Sequence, residues 1–349
     1  MNKGGVSREN SVGKITMQEI ATIAGVSLAT VSRTVHSPHL VRRETREHIE
    51  RIMQVNRYVY NVTASDFSKK RSSVIGVIIP TTRGAIFSSS TQIIQERAQE
   101  RGFSLIIANT GYDPAVELTL LRQFQERRLA GIILTGFSIG QEEVIEDLVQ
   151  SGVPCVVVWE TLKNNLSFVG FDNFKAAYTM TEYLIRLKHR RIGLILGPYT
   201  KVGRARKRLE GYLAALRDND LSYEPSLVIE KQPTLEEGRE AMERLLSLSH
   251  RPTAVFAASD MLAIGSLAAV REKGLKVPDD VSVAGFDDID FAAYCNPPLT
   301  TVRVPAREMG EIGVNLLLEM IQNNSKEVRQ YTLDTELIIR ASCSGYSGN

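Results

Sequence analysis

The spacing of apolar positions changes near residue 74. Before this point apolar side chains recur at helical intervals, and after it short apolar runs of strand length alternate with amphipathic stretches. Such alternation is typical of βαβ units built around a parallel sheet. The sequence therefore predicts a small helical unit followed by a larger α/β unit, since 349 residues exceed what one hydrophobic core usually organises.

Two short helices joined by a tight turn are predicted between Lys14 and Pro38. The first helix has one apolar face, formed by Met17, Ile20, Ala21 and Ala24. Gly25 then supplies the positive φ that ends a helix at little cost, and Ser27 is placed to cap the next helix. We interpret the segment as a helix-turn-helix, with an ordinary helical hairpin as the alternative.

The second helix is predicted to bury Val31 and to expose its opposite face. The outward residues are Leu28, Ala29, Ser32, Arg33 and His36. The Arg33 guanidinium is suited to a bidentate pair with guanine, and Leu28 and Ala29 to apolar contact with a thymine methyl. Hydroxyl groups suited to phosphate oxygens stand at Thr16, Ser27, Thr30 and Ser32. This face is therefore predicted to enter the major groove as a recognition helix.

The helical unit is small and basic. A third helix, from about Arg42 to Val55, is predicted to pack Ile49, Ile52 and Met53 against the other two, a core small enough to need support from DNA or a second copy. Residues 1 to 73 hold twelve Lys and Arg against six Asp and Glu, which gives a net charge of +6. Since the whole chain has a net charge of +2, the remaining residues have a net charge of −4. This asymmetry favours a polyanion-binding unit, with a solvated basic surface as the alternative.

The larger unit is predicted to contain two sets of parallel strands. The first set comprises residues 74–80, 103–109, 130–136 and 153–159, with helices at Gln92 to Arg101 and Glu117 to Arg128. The second set comprises residues 191–197, 226–231, 253–259 and 281–287, and a last strand-like segment runs from 331 to 342. These two sets of strands predict two doubly wound lobes. Because ligands bind beyond the carboxyl ends of such strands, we expect a cleft between the lobes.

The residues at the predicted strand ends are suited to a polyol. They are Trp159, Glu160, Phe171, Asp172, Arg208, Ser259, Asp260, Asp287 and Asp288. Carboxylates accept hydroxyl hydrogens, arginine donates to vicinal oxygens or to a carboxylate, and an aromatic face covers the apolar side of a sugar ring. Any one of them alone is more often a helix cap or a surface charge, so the prediction rests on their convergence.

Several classes of protein do not fit the composition. Residues 1 to 14 are polar, unlike a secretory signal, and no apolar run reaches bilayer length. The odd number of cysteines, Cys155, Cys295 and Cys343, fits reduced structural thiols. Neither the G-x-G-x-x-G pattern nor a P-loop follows the predicted strands, and no nucleophile elbow is present. We expect a cytoplasmic protein, no membrane partner, no catalysis, no metal and no cofactor.

The chain resembles the LacI/GalR family of regulators over residues 14 to 345. The resemblance is carried by MQEIATIAGVSLATVSRTV, NRYVYNVTASDFSKKRSSVIGVIIP, VGFDN, HRRIGLILGP, PTAVFAASDMLAIG and GLKVPDDVSVAGFDD, in family order. It implies a disordered extension at residues 1–13, a DNA-binding domain at 14–60, a hinge linker at 61–73 and a two-lobed domain of the periplasmic-binding-protein type at 74–345. It also implies a homodimer on near-palindromic operator DNA.

In this family the linker forms a short hinge helix on DNA, and one side chain wedges into the minor groove. The resemblance places Ala64 and Phe67 at the contact and wedge positions and adds Tyr58 as a DNA contact. Two departures stand out. Tyr60 replaces the usual proline, and Asp66 places a negative charge near phosphate. An ordinary linker is the alternative for residues 61–73.

The resemblance also implies which residues hold an effector. Arg208 and Asp287 match the two most regular effector contacts, Ser259 matches a position often held by asparagine, and the variable first-lobe positions are Trp159, Glu160 and Asp172. Phe87 is retained in GAIF, where the family often has Asn-Pro-Phe-Phe. Trp159 and Glu160, together with VGFDN, faintly resemble gluconate-type regulators of this family. A sugar or sugar acid is therefore the favoured effector, and purines and phosphosugars are the alternatives.

The function predicted from these features is transcriptional regulation, most simply repression, in which effector binding changes lobe closure and thereby DNA affinity. A sugar-binding transport protein is the first alternative, since the body alone resembles one. An enzyme on a doubly wound fold is the second. Whether the effector releases or recruits DNA is not fixed by the sequence.

Overall fold

The structure, a computed structural model, describes residues 15–60, 72–83, 85–163 and 165–347. The chain divides into two compact units, Met1–Arg71 and Ser72–Asn349, which we call the head and the body. Ala64 and Phe67, which are predicted to contact DNA, and Asp66 lie outside the described residues. None of the helices within the described ranges has both the length and the apolar character required of a bilayer-spanning segment.

The head contains three helices, α1 (Met17–Ala24), α2 (Leu28–His36) and α3 (Arg43–Val55), with a 3-10 turn at Pro38–Leu40. Its helix ends follow from single residues. Thr16 caps α1 by accepting from the Glu19 N–H, and the Glu19 carboxylate accepts from the Thr16 N–H at 2.7 Å, which is a capping box. Gly25, with φ 65°, ends α1, and the Ser27 hydroxyl caps α2 by accepting from the Thr30 N–H.

A small apolar core holds these helices together. Its buried members are Ile20, Ala21, Ala24, Val31 and Ile49. Val26, Ile52 and Met53 are only partly buried around it. The helix-turn-helix predicted from the sequence is therefore confirmed, and most of its core contact comes from α1, Val31 of α2 and a single fully buried side chain of α3.

The first lobe of the body is built on a six-stranded sheet. Its strands are β1 (Val74–Ile79), β2 (Ser104–Asn109), β3 (Gly131–Thr135), β4 (Cys155–Val158), β5 (Ser167–Phe171) and β11 (Gln330–Leu333). Their order is β11-β5-β4-β3-β1-β2, and every neighbouring pair is parallel. The helices packed with this sheet are α4 (Ala85–Glu100), α5 (Pro114–Glu126), α6 (Glu142–Gln150) and α11 (Ala306–Asn323).

The second lobe has a four-stranded parallel sheet. Its strands are β6 (Ile192–Leu196), β7 (Val228–Glu230), β8 (Ala254–Ala257) and β9 (Ser282–Ala284), in the order β7-β6-β8-β9. Its helices are α7 (Asn173–Arg186), α8 (Gly203–Asp218), α9 (Leu235–Leu246) and α10 (Asp260–Glu272). Gly211 lets α8 approach α7 closely, because a Cβ there would overlap the Phe174 carbonyl.

The chain passes between the lobes more than once. It leaves the first sheet after β5, returns with α11, and crosses again after β11. The last two passages are joined by the antiparallel pair of β10 (Thr301–Arg303) and β12 (Glu336–Ile338). The C-terminal segment then returns to the second lobe, where the Val283 N–H donates to the Ser342 carbonyl at 2.9 Å.

The predicted fold class is confirmed, with three corrections of detail. Each of the eight predicted runs contains a strand, and the structure adds β5, which was not predicted. The last apolar segment is two strands, since the chain turns at Asp334 and Thr335 to leave one lobe for the other. Helices α4 and α5 begin at Ala85 and Pro114, earlier than expected.

Candidate functional site

The outward face of α2 is exposed as the sequence predicts. Leu28 is 44% exposed, and Ala29, Arg33 and His36 are exposed as well. Ser32 and Thr30 are partly buried, and the Thr30 hydroxyl lies 2.9 Å from the Ser27 hydroxyl at the start of the helix. Apolar contacts, a guanidinium and hydroxyl groups therefore occupy one helix face, the combination that reads base edges and phosphates.

The two tyrosines that end the head differ in environment. Tyr58 packs against the head core, and burial raises the pKa of its hydroxyl. The Tyr60 hydroxyl lies 2.8 Å from His36 Nε2, with the two rings in edge contact. Tyr60, at a position that the family usually gives to proline, thus attaches the end of the head to the end of α2. The structure places Thr16 at the cap of α1, with its hydroxyl 2.8 Å from Glu19.

A cavity lies between the lobes at the carboxyl ends of the parallel strands. Its empty space, including part of the open mouth, is about 690 Å³. Five of the predicted effector residues line it: Phe87, Trp159, Arg208, Ser259 and Asp287. Residues that had not been predicted also line it, namely Thr81, Tyr112, Pro198, Arg204, Met261 and Ile289. The structure thus brings together positions that are up to about 200 residues apart in the chain.

Arg208 is held rigidly in the cavity wall. Its Nε donates to Asn173 Oδ1 at 2.9 Å, and its Nη1 donates to the Ala258 carbonyl at 2.7 Å. The guanidinium carbon stacks 3.7 Å from the centre of the Phe286 ring. Burial lowers the pKa of Arg208 to about 10, although Asp287 opposes this shift. Arg208 therefore stays protonated at neutral pH with its orientation fixed in advance.

Asp287 joins the cavity to the strands that cross between the lobes. Its backbone N–H donates to the Val302 carbonyl of β10 at 2.8 Å. Its φ of 117° lies in a region that costs a non-glycine residue free energy, so surrounding contacts must hold it there. Burial raises the pKa of Asp287 to about 6, opposed by Arg208, Arg204 and the Ser259 hydroxyl. A carboxylate in the cavity wall thus belongs to a residue that is hydrogen-bonded directly to a crossing strand.

The aromatic wall has one polar group without a partner. Trp159 is buried between Phe87, 5.0 Å away, and Phe171, 6.4 Å away, measured between ring centres. Among the described residues its indole Nε1 has no hydrogen-bond acceptor. A buried N–H without an acceptor is costly, so a group that accepts a hydrogen bond beside it is favoured.

Five residues of the predicted polyol set do not line the cavity: Glu160, Phe171, Asp172, Asp260 and Asp288. Glu160 is buried beside it and accepts from the Arg204 N–H at 3.0 Å, and burial raises the pKa of its carboxyl. Asp172 is exposed and caps α7 by accepting from the Lys175 N–H at 3.0 Å, next to a different hollow lined by Asp334.

Arg204 and Tyr112 were overlooked, although the sequence held a signal for each. Arg204 lies four residues before Arg208, which places both on one helix face. Tyr112 closely follows the carboxyl end of β2, and ligands bind beyond the carboxyl ends of parallel strands. No cluster of three or more His, Cys, Asp or Glu suited to a metal ion occurs in the described part of the chain.

Comparison with known proteins agrees with this geometry. Residues 16–61 match the model of bacterial regulatory proteins, lacI family, and residues 181–343 match a periplasmic binding protein-like domain. The HTH-type transcriptional repressor CytR of Escherichia coli strain K12 is 34% identical over 329 residues, which cover 94% of this chain and 96% of CytR. The chain belongs to the lacI family.

Solved structures of lacI-type proteins share the whole architecture. The Lac repressor dimer bound to operator and the anti-inducer ONPF has a TM-score of 0.80 and 28% identity, covering 95% of this chain and 99% of that one. The complex of the transcriptional regulator CelR with cellobiose has a TM-score of 0.69 and 28% identity, covering 94% and 99%. As a lacI-family member, this chain is a helix-turn-helix transcriptional regulator with a ligand-binding body.

Proposed function

We propose that this regulator is a cytoplasmic, non-enzymatic repressor that binds a near-palindromic operator as a homodimer and releases or holds it in response to a sugar or sugar acid. The head at residues 14–60 reads DNA, the linker at 61–73 includes the contacts assigned to Ala64 and Phe67, and the body at 74–345 binds the effector. The observation that carries the proposal is the exposed face of α2 on a capped helix-turn-helix.

The chemistry of α2 supports reading of base edges. Arg33 is exposed and suited to a bidentate pair with guanine, and Leu28 and Ala29 offer apolar contact to a neighbouring base. Phosphate contacts from Ser27, Ser32 and Thr16 would fix the register. A repressor dimer in this family, the Lac repressor, is known bound to operator, which supports a two-fold arrangement of heads and half-sites here.

The cleft supports control by a small polyhydroxylated effector. Asp287 and Ser259 offer acceptors and a hydroxyl on one side, Arg208 offers donors, and the rings of Phe87 and Trp159 form an apolar wall. Cellobiose in the CelR complex is a sugar ligand for the same fold. Since the Asp287 backbone bonds to β10, an effector that binds the carboxylate acts on a strand that crosses between the lobes. Couplings of about 1–3 kcal/mol are typical for such switches.

The proposal is tested by selecting operators from random duplex DNA with the full chain and then measuring Arg33→Ala. We expect the variant to lose about 1–3 kcal/mol of binding to the selected site, together with discrimination at one base pair of each half-site. Arg122→Ala, an exposed arginine of α5, is the matched control and should bind as the unchanged protein does. Affinity should fall steeply with salt, because phosphate contacts release counterions.

Selection that enriches no sequence at low salt would contradict the proposal. So would an Arg33→Ala variant with unaltered affinity and unaltered base preference, since α2 would then not be the reading helix.

A further inference from the structure

Arg204 lies on a helix of the second lobe, and its side chain contacts residues of the first lobe. It lies near the start of α8, where its backbone N–H donates to Glu160 Oε1 at 3.0 Å. Its side chain crosses the cleft, and Nη1 donates to the Thr135 carbonyl at 3.1 Å and lies 3.9 Å from Glu160 Oε1. Both partners are buried, Arg204 at 7% and Glu160 at 4% exposure. This ion pair therefore connects the two lobes directly.

Residues of the first lobe pack closely around the Arg204 side chain. Gly136, with φ 66°, has no Cβ, and a Cβ there would overlap Arg204 Nη1. Next to it the Ser138 N–H donates to the buried carboxylate of Glu117 at 2.9 Å. The Ile139 N–H donates across the cleft to the Lys201 carbonyl at 2.8 Å. The lobes thus meet beside Arg204, and Lys207 Nζ adds a second interlobe contact by donating to the Thr161 carbonyl at 2.7 Å.

The same guanidinium also faces the effector cavity. Arg204 and Arg208 both line it, and Asp287 is the one carboxylate among the described lining residues. Arg204 also lies 5.7 Å from the centre of the Phe87 ring. Trp159 adds an N–H without an acceptor in the described part of the chain. The wall is therefore rich in donors and carries more positive than negative groups, which favours a ligand with an anionic, acceptor-only group.

We propose that Arg204 is an interlobe switch that pairs either with Glu160, which holds the lobes together, or with the carboxylate of a small polyhydroxy acid in the cleft. This inference rests on the proposed function, and it narrows the effector from a sugar or sugar acid to the acid. Arg208 and the Trp159 N–H complete the site of the carboxylate, while Asp287 and Ser259 bind hydroxyl groups. A neutral sugar lacks the group that competes with Glu160 for Arg204.

The first part of the test needs no ligand. Trp159 is the only tryptophan in the chain and is 1% exposed in the cleft. In Arg204→Ala the lobes lose their ionic contact, so we expect Trp159 emission to shift to longer wavelength and acrylamide quenching to rise severalfold. Glu160→Gln, which keeps the shape of the side chain, should move both quantities in the same direction. Far-UV circular dichroism checks that each variant is folded.

The matched control is Arg206→Ala on the same helix, because the Arg206 side chain donates only within the second lobe, to the Tyr199 and Thr200 carbonyls. It should leave emission and quenching unchanged. Folded Arg204→Ala and Glu160→Gln variants with the quenching of the unchanged protein would overturn the switch.

The second part compares acids with matched neutral partners by calorimetry: gluconate with glucitol, and glucuronate with glucose. We expect at least one acid to bind about tenfold or more tightly than its neutral partner, as for a charge-assisted hydrogen bond, and Arg204→Ala to remove that preference. The assignment would be overturned by any of three results: equal binding of each acid and its neutral partner, no binding of either acid, or a preference for the acid that survives Arg204→Ala. Operator selection is independent of all these outcomes, so failure here leaves the proposed DNA-binding function standing.

Discussion

The head and the body of this regulator are stabilised in different ways. Five buried apolar side chains hold the head together, and its helix ends are fixed by neighbours in sequence, as in the capping box of Thr16 and Glu19. The body has extended cores, and its cleft joins groups from distant segments, such as Trp159, Arg208 and Asp287. Local signals thus specify the DNA-reading part, and long-range topology specifies the ligand-binding part.

This difference implies that the head is the weaker unit. A core of its size contributes little net stability, so a single substitution there should have a large fractional effect. The body accommodates buried ionisable groups because hydrogen bonds compensate for their burial. Asp260, for example, is fully buried but accepts from the Thr301 hydroxyl at 2.6 Å and from the Ile289 N–H at 2.9 Å.

The largest effect is expected for Ile49→Ala in the head. Ile49 is fully buried and is the one fully enclosed side chain that α3 contributes to the head core. Loss of a buried isoleucine to alanine typically costs about 2–5 kcal/mol, which approaches the whole stability of so small a unit. Hydrogen exchange of α1, α2 and α3 should therefore accelerate strongly, while thermal unfolding of the body, followed by Trp159 fluorescence, stays unchanged.

Val55→Ala is the control, because Val55 lies on the same helix and is 77% exposed. Its exchange should match that of the unchanged protein. If Ile49→Ala lowered the unfolding temperature of head and body together, the two units would be one cooperative unit and the comparison would fail.

A smaller effect is expected from pH, and it should reside in the body. Burial raises the pKa of Asp287 to about 6, above the value of about 3.9 for an unfolded chain. The folded body therefore binds this proton more tightly than the unfolded chain does. The resulting stabilisation of the folded state is complete below the pKa of the unfolded chain, and it is lost as the pH rises through about 6. Between pH 5 and pH 7 the loss from this group should be about 1–2 kcal/mol.

The measurement is urea unfolding of the body at pH 5 and pH 7, for the unchanged protein and for Asp287→Asn. The variant lacks the titrating group, so its free energy of unfolding should change less over this interval. The difference reports Asp287 together with its neighbour Asp260, whose pKa is raised by burial and by Asp287, and it separates them from His189, whose pKa is lowered by burial. Asp279→Asn, on the exposed surface, should keep the original pH dependence. Identical pH profiles for Asp287→Asn and the unchanged protein would contradict the shift.

The same contrast explains how far the sequence alone could be interpreted. The end of α1 and the start of α2 were predicted to within a residue or two, because Gly25 and Ser27 act on their immediate neighbours, whereas the cap that Thr16 provides for α1 was not predicted. In the body the apolar runs predicted eight strands, and five of the predicted effector residues line one cavity, although Phe87 among them was assigned by the family resemblance alone. Asp172 was grouped with them because the family resemblance assigns it to the first-lobe side of the cleft, but it caps α7 away from that cavity.

The role of Arg204 could not be predicted in this way. Its partners, Thr135 and Glu160, lie in the other lobe, and their approach depends on how the lobes close and on the missing Cβ of Gly136. Sequence spacing placed Arg204 on the face of Arg208, but only the tertiary structure gives the distance across the cleft.

The smallest of these effects is expected for Thr16→Ala, which removes the capping box of α1 and leaves the head core intact. An N-cap hydroxyl replaced by alanine typically costs about 1 kcal/mol, because one backbone N–H at the helix start loses its acceptor. Hydrogen exchange should accelerate mainly in α1, while exchange of the body stays the same. Thr22→Ala is the matched control, since the Thr22 hydroxyl is exposed inside α1 and donates only to the Gln18 carbonyl. If both threonine variants gave equal exchange rates, the start of α1 would be fixed by packing rather than by its cap, and the head would depend on long-range contacts as the body does.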